Sequence, residues 1–463
     1  MSLAASASAE DLRSALLAAY NTNPQLQAAR AQQRALDETV PIERADALPG
    51  VSAAATHTEF LDKTDLLGPS RVLQGSVSMS VPIYAGGGIR NSIKAAETRV
   101  EAGQADLRGA ESAIFSQAVA AYVDVLLNQS IVGLNRKNVD VLGVNLRATR
   151  DRFEIGDLTR TDVAQSEARL ALAQGDTQNA EANLIGARER YIQVIGNAPV
   201  NLQAPPPLPG LPESVDDALR SALENNPDLI AARERSRASD FDINVAGSSR
   251  LPRVDVFTGG SLTDYYGTLA GGSPAAAQRN GGITAGLRAS IPIFQGGRPA
   301  ALRRQAQARS AATLETEIAA EREVIAQVRA AYSSWRAAGA IIVSTQSAVD
   351  AAALSLEGVR AENTVGNRTI LDMLNAEQEL LQARVRLVTA QRNAYVSGFS
   401  LLAAMGKAEA RDLGLDGGTL YDSEANYNRV RGKFFDWDDD KAPAEQATRT
   451  VDTPAQDGSI PGQ

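Results

Sequence analysis

The chain is one unit written twice, and that repeat narrows what it can fold into more than any single motif does. The stretch Val81-Pro-Ile-Tyr-Ala-Gly-Gly-Gly88 returns as Ile291-Pro-Ile-Phe-Gln-Gly-Gly-Arg298. A shift of 203 aligns Asn23-Pro24 with Asn226-Pro227 and Leu48-Pro49 with Leu251-Pro252. Past the first strand the shift becomes 210, pairing Tyr122 with Tyr332, Gly156 with Gly366 and Asp162 with Asp372. The extra residues fall between the paired strands of the second copy, where Gly271-Gly-Ser-Pro274 reads as a loop. Each copy turns on the same strand–helix joint, built from Pro82, Gly86 and Gly87 in the first and from Pro292, Gly296 and Gly297 in the second. The glycine pair lets the backbone bend sharply between the two periods.

Around each joint the periodicity changes. Leu73, Gly75, Val77, Met79, Val81 and Ile83 share one face, opposed by Gln74, Ser76, Ser78 and Ser80. Ile283, Ala285, Leu287, Ala289, Ile291 and Ile293 repeat the pattern. The spacing predicts strands over 50–63, 72–84, 253–266 and 281–294. They exceed the usual ~5–6 residues and match the ~9–11 that a tilted transmembrane strand needs. A soluble hairpin with one buried face fits the same alternation. Helices are predicted over 11–48 and 214–250, before the strands, and over 89–150, 157–197, 298–361 and 367–405 after them. At ~1.5 Å per residue a 60-residue helix reaches ~90 Å, too long for an ordinary domain. Val163, Leu170, Thr177, Leu184 and Tyr191 recur every seven residues beside Ser166, Ala173, Ala180, Ala187 and Val194, a heptad seam with one large and one small column.

These patterns divide the chain into a short leading segment (1–10), a first repeat (11–200), a proline-rich linker (201–213), a second repeat (214–410) and a tail (411–463). The tail is expected to be partly disordered, from about 442 onward. The first residues keep the Ala-x-Ala spacing of a trimmed signal at Ala5, Ala7 and Ala9, or are merely small.

Composition excludes more than it assigns. There is no cysteine and one histidine, His57, so disulfides and thiolate metal sites are ruled out and histidine-based catalysis is not expected. No catalytic constellation, metal site or cofactor motif is visible, and no nucleic-acid groove is indicated. Of the net charge of −9, the tail supplies −5. No apolar run is seen to approach the ~18–20 residues of a membrane-spanning helix. Four strands cannot close a lipid-facing barrel, and an open edge in hydrocarbon costs several kcal/mol per unpaired group. If the strands lie in a membrane, several chains must share one barrel.

With the duplicated helix–strand–strand–helix–helix unit, the Pro-Ile-Tyr/Phe-x-Gly-Gly joints and the hairpin segment Gly366-Asn-Arg-Thr-Ile-Leu-Asp-Met-Leu-Asn375, residues 10–410 resemble the TolC family of outer-membrane efflux and type I secretion channels. The resemblance implies a mainly α fold with a membrane β-barrel part. Three protomers would each give four strands to a twelve-stranded barrel, continuous with a periplasmic coiled-coil tunnel. It implies as partners outer-membrane lipid, a periplasmic adaptor (membrane fusion) protein and an inner-membrane ABC or other export pump. It also implies a gate: Arg368 pairing with Asp162, beside Thr161, between the two hairpins. Asn363 stands where the family often has tyrosine. At the aperture Asp372 matches the first of two acidic positions, Asn375 replaces the second, and converging Asp372 side chains should raise one another's pKa. The alternative of another class is a periplasmic coiled-coil scaffold without channel activity.

Overall fold

The computed structural model describes residues 10–62, 68–269, 278–415 and 420–460. The leading segment 1–9 and the loop at Gly271 lie outside the described residues. The first repeat contains helices α1 (Leu12–Thr22), α2 (Pro24–Asp37) and α3 (Thr39–Ala45), strands β1 (Gly50–Glu59) and β2 (Arg71–Ala85), and helices α4 (Gly88–Glu154) and α5 (Arg160–Ile195). The second contains α6 (Val215–Asn225), α7 (Pro227–Ser248), β3 (Arg253–Asp264), β4 (Arg279–Ser290), α8 (Arg298–Thr364) and α9 (Ile370–Ala404). A short α10 (Ala425–Val430) follows.

The region expected to be helical over 11–48, with an interruption at Asn23-Pro24, is three helices: Glu38 separates α2 from α3, and Asn23 stops α1 and starts α2. Its side-chain oxygen accepts from the N–H groups of Gln25 and Leu26, and Pro24 takes the first helical position, where a missing N–H costs nothing. Asn226 and Pro227 do the same between α6 and α7. Both asparagines are buried and spend their amide N–H on the far end of the long hairpin. Asn23 donates to the Val194 carbonyl at 2.8 Å, and Asn226 to that of Ala404 at 2.9 Å. One residue type thus caps a short helix and ties it to the end of a helix about 170 residues away.

The strands form one antiparallel meander, β1-β2-β3-β4. Its register sorts the side chains by face. Ala53, Val77, Gly260 and Ile283 form one row, and Val51, Met79, Thr258 and Ala285 another. The opposite face carries Ser52, Ser78, Gly259 and Thr284, then Thr56, Gln74, Thr263 and Asn280. One face is apolar and solvent-exposed, with Val77 54% and Ile283 87% accessible, and the other is hydroxyl- and amide-lined. Along β2 the apolar face runs from Leu73 to Val81, about 26 Å at ~3.3 Å per residue. Beyond it Arg71 pairs with Glu59 and Arg279 with Asp264, so the band ends in charge. β4 stops at Ser290, short of the expected 294, because its partner Arg253 is the first residue of β3 and nothing remains to pair with. β1 likewise stops at Glu59, short of the expected 63.

Gly86 and Gly87 hold φ of +60° and +78°, and Gly296 and Gly297 hold +58° and +82°. The two joints differ in their surroundings. A Cβ on Gly86 would lie 2.6 Å from the Leu251 Cβ, whereas one on Gly296 would meet open space. The same asymmetry runs down the long helices. Each has 67 residues, about 100 Å at ~1.5 Å per residue. In α4, 24 of them are buried, against 5 in α8. Each also contains an 18-residue stretch apolar enough to cross a membrane, which corrects the expectation that no run reaches that length. That stretch is 50% buried in α4 and 6% in α8.

The main core sits below the sheet, where Phe115, Tyr122, Leu184, Tyr191 and Ile195 pack with Leu16 and Leu26. The Tyr122 hydroxyl bridges the carbonyls of Glu10 and Gln203, fastening both ends of the first repeat to its middle. The far end of the described tail is held on the body. Arg188 donates to the carbonyls of Asp457 and Ser459, and Arg136 to that of Gly458, so aperiodic chain is held along α5 by backbone carbonyls. Such contacts leave no periodic signature in sequence.

Candidate functional site

The candidate site is the pair of hairpin tips. Gly156 and Gly366, at φ +83° and +80°, end α4 and α8 in the left-handed conformation that glycine tolerates. Three residues later Thr159 and Thr369 cap α5 and α9. Asp162 and Asp372 occupy one repeat position and do one local job. The Asp162 carboxylate accepts from the Thr159 N–H at 2.9 Å and hydroxyl at 2.7 Å. Asp372 accepts the same pair from Thr369 at 3.0 and 2.8 Å. Each is one half of a capping box. Hydrogen bonds from the threonine side chain, then its backbone, hold both carboxyls below the usual carboxylate range. The upward shift expected of Asp372 is therefore absent within the protomer, where its neighbours are donors and not other carboxylates.

Arg368 does not reach Asp162 within the chain. Its Nε donates to Glu362 at 2.6 Å, inside its own hairpin, and this bond with the Glu362 charge raises its pKa further. Asn363 donates to the Arg368 carbonyl at 2.8 Å and so fixes the turn. Thr161 is exposed. The first hairpin has a bridge of opposite polarity close to the same place: Arg152, counterpart of Glu362, pairs at 2.6 Å with Asp157, whose own counterpart is Asn367. Higher up, Arg150 with Glu167 and Arg360 with Glu377 lock each hairpin to itself at one repeat position.

The link between the hairpins uses other residues. Arg169 on α5 donates to the Asn375 side-chain oxygen on α9 at 2.8 Å. Below it Ile370 and Leu374, 5% and 2% accessible, pack against Leu142 and Ala173. Further from the tips Arg392 on α9 pairs with Asp124 on α4 at 2.7 Å. Of the gate and aperture residues named from sequence, only Asn375 takes part in this link, together with Ala173 of the small heptad column. Arg169, Leu142, Ile370 and Leu374 were missed. The Thr-x-x-Asp capping spacing at 159–162 and 369–372 was readable. Nothing in the sequence pairs an arginine on one helix with an amide 206 residues away.

The tips are exposed charged and amide side chains, each engaged by hydrogen bonds, over a small apolar seam. Among the described residues no group of three His, Asp or Glu side chains could hold a metal ion.

A family model described as outer membrane efflux protein matches residues 15–197 and 218–407. The outer membrane efflux protein BepC of Brucella suis is 32% identical over 429 residues, covering 92% of this chain and 91% of that one. The outer membrane protein TolC of Escherichia coli is 27% identical, covering 88% and 84%. The crystal structure of the outer membrane protein VceC from Vibrio cholerae superposes with a TM-score of 0.72 at 20% identity over 85% of this chain and 96% of that one, a likeness of fold.

Proposed function

We propose, from the premise that this chain belongs to the outer membrane efflux protein family, that three copies close one barrel and one tunnel and serve as the passive exit duct of an export machine. The observation that carries the trimer is the unmatched second repeat. The sheet has two free edges and an apolar face too tall to leave in water, and α8 buries 5 residues where α4 buries 24. The repeat supplies the missing partner. Within the chain, β2 pairs with β3 and Leu251 fills the space at Gly86. In a ring, β4 meets the neighbour's β1, and the neighbour's Leu48, counterpart of Leu251, fills the space at Gly296. Three protomers give twelve strands with the hydroxyl face inward.

The duct itself performs no chemistry: its polar lining and hydrogen-bonded tips suit passage, and the driving energy comes from a pump reached through a periplasmic adaptor. Its task is type I protein secretion, small-molecule efflux or both, since its relatives carry the names of efflux and of secretion proteins. At the tip, three Asp372 side chains around the axis form a ring that attracts cations, and Arg368 and Asp162 of adjoining hairpins exchange their local partners for one another as the state of the tip changes.

Native mass measurement in detergent and single-channel recording in a planar bilayer test this reading together. The expected result is a trimer with a small conductance that a trivalent cation blocks from the tip side, and loss of the block in Asp372→Ala. A soluble monomer that gives no conductance would support the scaffold instead. Block that survives Asp372→Ala would move the ring elsewhere.

A further inference from the structure

The tail holds a feature that the duct does not use. After α10, residues 431–440 make a closed turn: Arg429 grips Asp440 with both nitrogens at 2.8 Å, and Lys433 reaches Asp438 at 3.1 Å. Between these bridges Phe434, Phe435 and Trp437 stand out, 80%, 67% and 83% accessible. Asp436 and Asp439 have no ion-pair partner among the described residues. The turn is anchored at a defined height. Arg44, at the end of α3, donates to the Arg431 carbonyl at 2.6 Å, and Asn426 to the buried Asp37 at 2.7 Å. Six residues after Arg44 the sheet begins.

Three bulky aromatics held in the open by two ion pairs imply a partner, and the repeat identifies it. Arg34 and Glu38 on the first repeat lie close enough to act on Asp440 and Arg429 electrostatically. Their counterparts at the 203 offset are Arg237 and Phe241. Those two residues face α4 across the seam inside the protomer: Arg237 lies 3.8 Å from Glu101, and Lys94 stands over the Phe241 ring at 5.6 Å. At the 210 offset Lys94 becomes Arg304 of α8. In a closed ring the turn 431–440 therefore borders the seam filled by the start of a neighbour's α8.

That stretch of α8 has the complementary chemistry. Residues 298–309 contain Arg298, Arg303, Arg304 and Arg309 and no acidic residue before Glu315. None of the four has an ion-pair partner among the described residues, and the Arg303 Nε is buried without a hydrogen bond. We propose that the turn 431–440 of each protomer is a clasp on the neighbour's α8. Asp436 and Asp439 engage the arginines around Arg304, and the three aromatics cover the adjoining helix surface. The occupant is a second copy of this chain and not the lipid leaflet, because four aspartates in five residues, 436–440, oppose entry into a bilayer surface while they complement the arginines. The clasp rests on the ring proposed above.

The absence of cysteine makes the test clean. The double variant Asp439→Cys/Arg304→Cys, treated in detergent with a short bismaleimide, is expected to give covalent dimers and trimers, with neither single variant doing so. A protein that is trimeric by native mass yet forms no cross-link there, nor in Asp436→Cys/Arg304→Cys, overturns the clasp and leaves the ring intact. A monomeric protein overturns the ring and the clasp with it. In Trp335→Phe protein, where Trp437 is the one remaining tryptophan, brominated lipid should leave its fluorescence unquenched; strong quenching would place the turn in the membrane and overturn the clasp.

Discussion

On the proposed gate, Arg169 and Asn375 supply the hydrogen bond that joins the two hairpins of a protomer at the tip. Arg169 is half-buried and Asn375 exposed, so water competes for their hydrogen bond and it contributes ~0.5–1.5 kcal/mol. Burial of Leu374 behind it adds ~1.5–3 kcal/mol. A latch of that size can be overcome by binding a partner at the tip. Arg169→Ala is therefore expected to raise single-channel conductance in a planar bilayer, and Arg368→Ser to raise it less, since Arg368 is engaged by Glu362 within its own hairpin. Equal effects would assign Arg368 to a link between hairpins of adjoining protomers; no effect of Arg169→Ala would remove it from the latch. Sequence reasoning matched Asp162 with Asp372 because the repeat offset does so directly. It did not find the donors that hold them within the chain, because a capping box is local: each aspartate's nearest donors lie three residues back, on its own threonine. The pH dependence follows from that bond. Both carboxyls titrate below their ordinary range, so the tip order they provide is complete above the unfolded carboxylate pKa. It is lost only as pH falls through the lowered folded value.

At the scale of elements, much of the fold was legible because periodicity records which face is covered. The four long helices, the strands and the glycine joints all leave such a record, and Asn-Pro at 23–24 and 226–227 marks where helices restart. What periodicity omits is an interaction that ends an element and joins it to another. Asn226 is such a case. Its oxygen caps α7 and its amide closes the end of α9 from 178 residues away. Asn226→Ala should cost ~1–2 kcal/mol for the cap and ~1 kcal/mol for the second bond. The expected readout is a lower midpoint of thermal unfolding in detergent, while Asn226→Asp, which keeps the cap and loses the amide donor, falls between variant and parent. An unchanged midpoint in Asn226→Ala would mean that water replaces both bonds at no cost. The tail escaped sequence reasoning for the related reason that carbonyl-to-arginine contacts such as Arg188 with Ser459 set no repeat.

At the scale of the whole molecule, the proposed ring rests on a difference between two halves that the repeat makes counterparts. Ile131 and Ile341 are counterparts at the 210 offset. Ile131 is half-buried and packs against the main core, whereas Ile341 is 51% accessible. Beside the other exposed apolar residues of α8, such as Leu314, Ile318 and Val343, this uncovered counterpart of a packed residue belongs to the surface that the proposed ring would cover. Ile341→Asp puts a charge on that surface. In the isolated protomer the carboxylate stays hydrated and the helix is undisturbed, so helical content by circular dichroism should not change. In a ring the same carboxylate must lose its water against apolar side chains, which costs several kcal/mol at each of three identical seams. Trimer should give way to monomer in detergent at concentrations where the parent stays assembled, and Ile131→Asp should instead unfold the protomer because its surroundings belong to the same chain. A trimer that tolerated Ile341→Asp unchanged would mean that this face of α8 looks onto water in the assembled duct, and the neighbour would then have to meet α8 through another of its faces.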